Sequence, residues 1–217
     1  MTSREEILRR VRDGLKALPD DERTVTVPRN YRRHAPDVSP DDRTAIVELF
    51  VERLRLYGAQ VNRTTESEIP DMVRTVLRTH DATSVVAPDG LPEDWLRPWA
   101  ETDEHRVIDD HPQLSTDDLD GVDAVVTACA GAVADSGTVV LDGGPGQGRR
   151  GPTLVLDCHV CVVRADQIVS ALPEILDRLD PRRPITFFSG PAATVDIEMV
   201  HVEGVHGPRQ LEVVVVE

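Results

Sequence analysis

Three stretches of this chain hold residue types from which a polar site can be built. Asp135-Ser136-Gly137-Thr138 sets a carboxylate and two hydroxyls around a glycine within an otherwise apolar segment. A glycine in such a place marks a bulge or the close approach of a ligand. The run Gly143-Gly144-Pro145-Gly146-Gln147-Gly148-Arg149-Arg150-Gly151 follows a strand-like segment, Thr138 to Leu141. Its glycines expose backbone N–H groups, and Arg149 and Arg150 place paired positive charge beside them, a combination suited to an anion. The other reading of the run is a long hairpin loop. Near the C-terminus stand Ser189-Gly190-Pro191, with Thr194, Asp196 and Glu198 soon after, and Gly204-Val205-His206-Gly207-Pro208. Both adjoin strand-like segments, and loops at strand ends build the sites of α/β proteins. Gly-Pro pairs are also ordinary turns, and Asp196 can cap one. His206 is the general acid or base candidate, because imidazole titrates near neutral pH.

Several chemistries are excluded by context. Gly146-x-Gly148-x-x-Gly151 has dinucleotide-fingerprint spacing, but that fingerprint opens a helix, whereas Pro152 followed by Thr-Leu-Val-Leu reads as a strand. Lys16 is the sole lysine and no GK[ST] sequence occurs, which removes a P-loop and argues against Schiff-base chemistry. Cys158 and Cys161 form a CxxC pair around His159, yet residues three apart on a strand point to opposite faces. No metal site is therefore assigned. With Cys129 the thiols number three, an odd set in a chain without an export signal, so they are expected to be reduced. A net charge of −15 repels a phosphate backbone, and nucleic acid is not an expected partner.

The elements that must position these residues follow from periodicity. Apolar residues make up 40% of the 217 and aromatics only 3%, so the core is aliphatic. No apolar run spans a bilayer, and a soluble, cytoplasmic protein is expected. Ser3 to Leu18 reads as an amphipathic helix capped by Ser3 with Glu6. Residues 19–40 carry four prolines and form a connector, giving a division into an arm (1–40) and a domain (41–217). A helix over about 40–57, capped by Ser39, is followed by strand at 60–63, helix at 69–79, strand at 83–87, helix at 92–100, and strands at 104–108 and 123–127. This is βαβ punctuation. Beyond it, 132–142, 153–163, 185–189, 197–202 and 211–216 read as strands, with 165–179 as the helix among them.

In order, Ala134-Asp-Ser-Gly-Thr-Val-Val-Leu141, Ser189-Gly-Pro-Ala-Ala-Thr-Val-Asp-Ile-Glu198 and Gly204-Val-His-Gly-Pro208 resemble the motifs of the LUD-domain family, in its lactate-utilisation protein C (LutC/YkgG) group. The resemblance runs from about Ala45 to the C-terminus. It implies a fold like those of NagB, ribose-5-phosphate isomerase (RpiA) and the CoA transferases, a parallel-rich α/β sheet flanked by helices, here with an N-terminal helical arm. It also implies a place in an L-lactate utilisation system that oxidises L-lactate to pyruvate, as the component without its own iron–sulfur cluster. Two iron–sulfur proteins are the expected partners, and no cofactor is expected on this chain itself. On that reading Asp135 and His206 polarise a group or exchange a proton. Ser136, Gly137, Thr138, Arg149, Arg150, Ser189, Gly190, Thr194, Asp196 and Gly207 surround a small anionic ligand. Where the family usually has Glu-Thr-Gly-Thr, this chain has Asp135-Ser136-Gly137-Thr138, and Ala192 stands where the family usually has serine. The alternatives are a free-standing enzyme on a sugar phosphate or acyl-CoA, or a regulatory scaffold.

Overall fold

A computed structural model describes residues 2–16, 27–28, 30–194, 202–204 and 207–217. It divides into two compact units, Met1–Arg32 and Arg33–Glu217. The first holds helix α1 (Ser3–Lys16). Its cap is Thr2 rather than Ser3: Thr2 Oγ1 accepts from the Glu5 amide while the Glu5 carboxylate accepts from the Thr2 amide, a reciprocal pairing set one residue earlier than the expected one.

The second unit runs in the order α2 (Arg43–Leu56), β1 (Gln60–Thr64), α3 (Ile69–Thr79), β2 (Ser84–Val86), α4 (Arg97–Ala100), β3 (Arg106–Ile108), α5 (Thr116–Asp120) and β4 (Ala124–Thr127). It continues through β5 (Gly131–Val133), β6 (Thr138–Leu141), α6 (Arg150–Val155), β7 (Cys158–Arg164), β8 (Ile168–Val169), α7 (Leu172–Leu176), β9 (Thr186–Phe188), β10 (Ala193–Thr194), β11 (Val202–Glu203) and β12 (Gln210–Val216). Six strands form a wholly parallel sheet in the order β1-β12-β7-β4-β2-β3. Parallel strands covered on both faces need apolar residues on both, which is why Cys158–Val163 and Leu211–Val216 are nearly continuous apolar runs. Cys161, Val163, Val213 and Val215 face α2 and a second sheet. Cys158, Val160, Val162 and Val214 face α3 and the two tryptophans, Trp95 and Trp99. Cys158 and Cys161 thus lie on opposite faces, as the strand reading required. The second sheet, β8-β5-β6-β9, is mixed, with β6 antiparallel to both neighbours.

Several expectations are corrected. Helix α2 is capped by Asp42, whose carboxylate accepts from the Ala45 amide at 3.0 Å, not by Ser39. The expected helix over 92–100 is a 3₁₀ turn, Glu93–Trp95, followed by the single turn α4. The expected strand over 132–142 is a hairpin whose turn is Ala134–Gly137. Residues 150–155 are helical, so the strand expected from Thr153 begins only at Cys158. Pro152 is compatible with that helix because first-turn N–H groups lack intrahelical partners anyway. The expected helix over 165–179 is a 3₁₀ turn, then β8, then α7. Pro173 dictates this: inside a longer helix it would remove a hydrogen bond and clash with the preceding turn, so a helix can only restart beside it. The strand expected over 197–202 lies mostly outside the described residues.

Candidate functional site

The β5–β6 hairpin turn is seated on the last turns of α2. Gly137 has φ +54°, and a Cβ there would stand 2.8 Å from the Arg53 backbone and from the Leu54 nitrogen. Gly190 has φ +115°, and its Cβ would stand 2.7 Å from the Tyr57 carbonyl oxygen. Only glycine meets both conditions at once, a left-handed conformation and contact with another backbone. The two motifs therefore converge on one helix end, and their hydroxyls meet there. Ser136 Oγ lies 2.7 Å from Thr138 Oγ1, which lies 2.6 Å from Ser189 Oγ. Asp135 is half-buried in the same turn, and its amide donates to the Ser170 carbonyl at 3.1 Å.

The structure thus brings Asp135, Ser136, Gly137, Thr138, Ser189 and Gly190 together. Gly207 is buried near them in the chain path: the Ala192 amide donates to the Pro208 carbonyl, and a Cβ on Gly207 would touch the Ala192 methyl. Thr194 pairs through β10 with Val202 of β11. Asp196 and His206 lie outside the described residues. The three hydroxyls can each donate and accept, so the chain can relay hydrogen-bond polarity. It sits at the carbonyl end of α2, where the helix dipole favours positive rather than negative charge.

The glycine-rich run stands at the other end of β6, about 10 Å along the strand from Thr138. It is an ordered loop. The Gln147 side chain accepts from the Asp142 amide at 2.7 Å, Asp142 accepts from the Gly144 amide at 3.0 Å, and Gly146 donates to the Asp89 carbonyl at 2.7 Å. Arg149, expected to face an anion, is engaged internally. Its Nε and Nη2 donate to the Asp110 carboxylate at 2.6 and 2.9 Å, and Nη2 also donates to the Leu114 carbonyl at 2.7 Å. Burial pushes the Asp110 carboxyl up, but the Arg149 fork and the Leu114 amide outweigh it and hold it below the usual range. Arg183 pairs with Asp142. Arg150 is exposed and has no ion pair among the described residues. Beneath the loop opens a cleft of about 360 Å³ lined by Leu141, Gly148, Arg150, Thr153, Pro184 and Thr186, among others. Sequence reasoning missed Asp110 and Arg183, each about forty residues from its partner with no local signal. Asp142 and Gln147 were legible, as the polar residues bounding and interrupting a glycine run.

A buried polar pair crosses the main sheet, with Thr127 Oγ1 at 2.7 Å from His159 Nε2 and the imidazole edge-on to Phe188. All three cysteines are buried and free. Contact with Cys161 and burial push the Cys129 thiol up, and burial with the charges of Glu212 and Asp157 pushes Cys158 to about 12. Among the described residues, Asp89, Asp109 and His111 bring possible ligand atoms within 4.8 Å of one another, all three exposed. No described helix is long and apolar enough to cross a membrane.

A curated protein of Deinococcus radiodurans, "Lactate utilization protein C", is 41% identical over 185 residues, covering 83% of this chain and 84% of its own. A protein of the same name from Exiguobacterium sp. is 24% identical across the whole of this chain and 96% of its own. The LUD domain matches residues 47–216. The chain belongs to the LUD domain family. A crystal structure of a DUF162 family protein from Deinococcus radiodurans is similar to it, with 36% identity, a TM-score of 0.67, and coverage of 82% of this chain and 100% of that one. Both the hydroxyl cluster and the glycine-rich loop lie within the LUD domain, whereas α1 precedes it. The α/β architecture that the motifs implied, a mostly parallel sheet flanked by helices, is the one observed.

Proposed function

We propose that this LUD-domain protein serves L-lactate utilisation as the component that carries no iron–sulfur cluster and works beside two cluster-bearing partners. The observation that carries the reading is the 41% identity with a lactate utilization protein C over more than four fifths of both chains. The three cysteines suit it, Cys129 and Cys161 together in one buried cluster and Cys158 in the cluster on the opposite face of the main sheet, because an iron–sulfur centre needs four thiolates or their equivalents held together. In this reading electrons leave through the partners. The Asp135 carboxylate, relayed through Ser136, Thr138 and Ser189, orients or exchanges a proton, with His206 as the second acid or base. Arg150 is the cation for an anionic ligand, and Arg149 holds the loop that presents it.

Reconstitution tests this. L-lactate oxidation is followed with an artificial electron acceptor, using two iron–sulfur lactate-utilisation proteins as the proposed partners, with and without this chain. Oxidation that requires the chain, and falls with Asp135→Asn, supports the reading. Full oxidation without it overturns the reading.

A further inference from the structure

We propose that the cleft under the glycine-rich loop binds an organic anion larger than a hydroxy acid, with an apolar body and one acidic head, and that Arg150 takes the head. Charge and volume carry this together. Of the three guanidiniums around the loop, Arg149 is spent on Asp110 and Arg183 on Asp142, whereas Arg150 at the rim has no ion pair among the described residues. The Arg150 guanidinium matches one acidic head, and its planar fork suits a carboxylate or a phosphate alike. Leu141 and Pro184 give the rest of the lining apolar surface, with Gln147 and Thr186 among its polar residues, so a ligand with an apolar body fits it better than a small hydroxy acid. Lactate has six heavy atoms, whereas a cleft of about 360 Å³ is in the range that accommodates drug-sized ligands. The Thr186 hydroxyl is buried against this cleft without a hydrogen-bond partner, an orphan polar group of the sort a bound ligand satisfies. The hydroxyl cluster at the far end of β6 has the opposite electrostatic setting, so the two places take different chemistries. The inference rests on the proposed role of Arg150 as the cation for an anionic ligand and names the class of that ligand, a molecule with a more apolar body than lactate.

The test is a titration of the full-length chain with straight-chain carboxylates from acetate to octanoate, and with L-lactate, by calorimetry at constant ionic strength. Affinity is expected to tighten about fourfold per added methylene until the cleft is filled, the fold-change equivalent of burying one CH₂. L-Lactate should bind no better than acetate. Arg150→Glu, at an exposed position, should weaken octanoate at least tenfold with unchanged thermal unfolding, and Arg150→Lys should keep part of the affinity. Octyl phosphate competing with octanoate would show that the head is recognised as an anion of either kind. Affinity that is flat with chain length, octanoate binding that survives Arg150→Glu, or no binding at all would overturn the proposal. Lactate oxidation in the reconstituted mixture reads separately, so a failure there strikes the lactate role and leaves this result standing.

Discussion

Arg149 and Arg150 are neighbours in sequence with different jobs. The Arg149 fork closes a bidentate pair with Asp110 and so ties the glycine-rich loop to the segment after β3. Arg149→Ala leaves a mostly buried carboxylate without its cation and should cost about 2 kcal/mol at pH 7, read by urea unfolding. The pH dependence has a definite sign. Asp110 has a lowered value in the folded chain, so its contribution is fully present above the ordinary aspartate value of about 3.9 and is lost as pH falls through the lower folded value. The Arg149→Ala penalty should therefore shrink on acidification, and a penalty constant down to pH 3 would count against the pairing. At the other end of β6, Thr138 joins Ser136 and Ser189. Thr138→Val keeps the shape and removes these bonds together with the one its hydroxyl donates to the Ser136 carbonyl, for an expected loss of about 1–2 kcal/mol. A double-mutant cycle with Ser189→Ala should give a coupling of at least about 0.5 kcal/mol, and strict additivity would show that the two hydroxyls do not interact.

At the scale of elements, the motif glycines are explained by what lies beneath them. Gly137→Ala forces a left-handed alanine into the α2 backbone and should destabilise the second unit by more than about 2 kcal/mol. Gly14, inside α1 with nothing within 4 Å of a Cβ, gives the contrast. Gly14→Ala should raise helicity by up to about 1 kcal/mol locally, seen in far-UV circular dichroism, without moving the main unfolding transition. The sequence placed Gly137 and Ser189-Gly190-Pro191 within motifs that resemble the family's, but their two approaches to one helix end needed the fold. The buried strands β7 and β12 were legible because an apolar run between polar ends has few other outcomes. Helix α6 was not: Thr153-Leu-Val-Leu is too short for its period to separate strand from helix. Over 165–179 the apolar spacing suited a helix, and Pro173 was the overlooked signal that a helix there must begin anew. The partner of Arg149 was illegible because Asp110 reaches it only through tertiary structure.

For the whole molecule, the core of the second unit decides how far the N-terminal segment matters to stability. Its four buried clusters begin at Val38 and draw on both faces of the parallel sheet and on the hairpin sheet, with no described residue of the first unit among them. Helix α1 buries none of its residues and leaves Ile7, Val11 and Leu15 exposed. A chain shortened to 33–217 should then unfold cooperatively within a few degrees of the full chain. The thiols supply an internal probe. Cys129, Cys158 and Cys161 lie buried in the two main clusters, so all three thiols are covered, and burial first, with the charges of Glu212 and Asp157, holds Cys158 at about 12. Ellman's reagent should find no reactive thiol in either native chain and three in urea, with reactivity appearing at the same denaturant concentration as the loss of helix. Thiols exposed in the shortened chain under native conditions would mean that the first 32 residues complete the core, and the two-unit division would have to be abandoned.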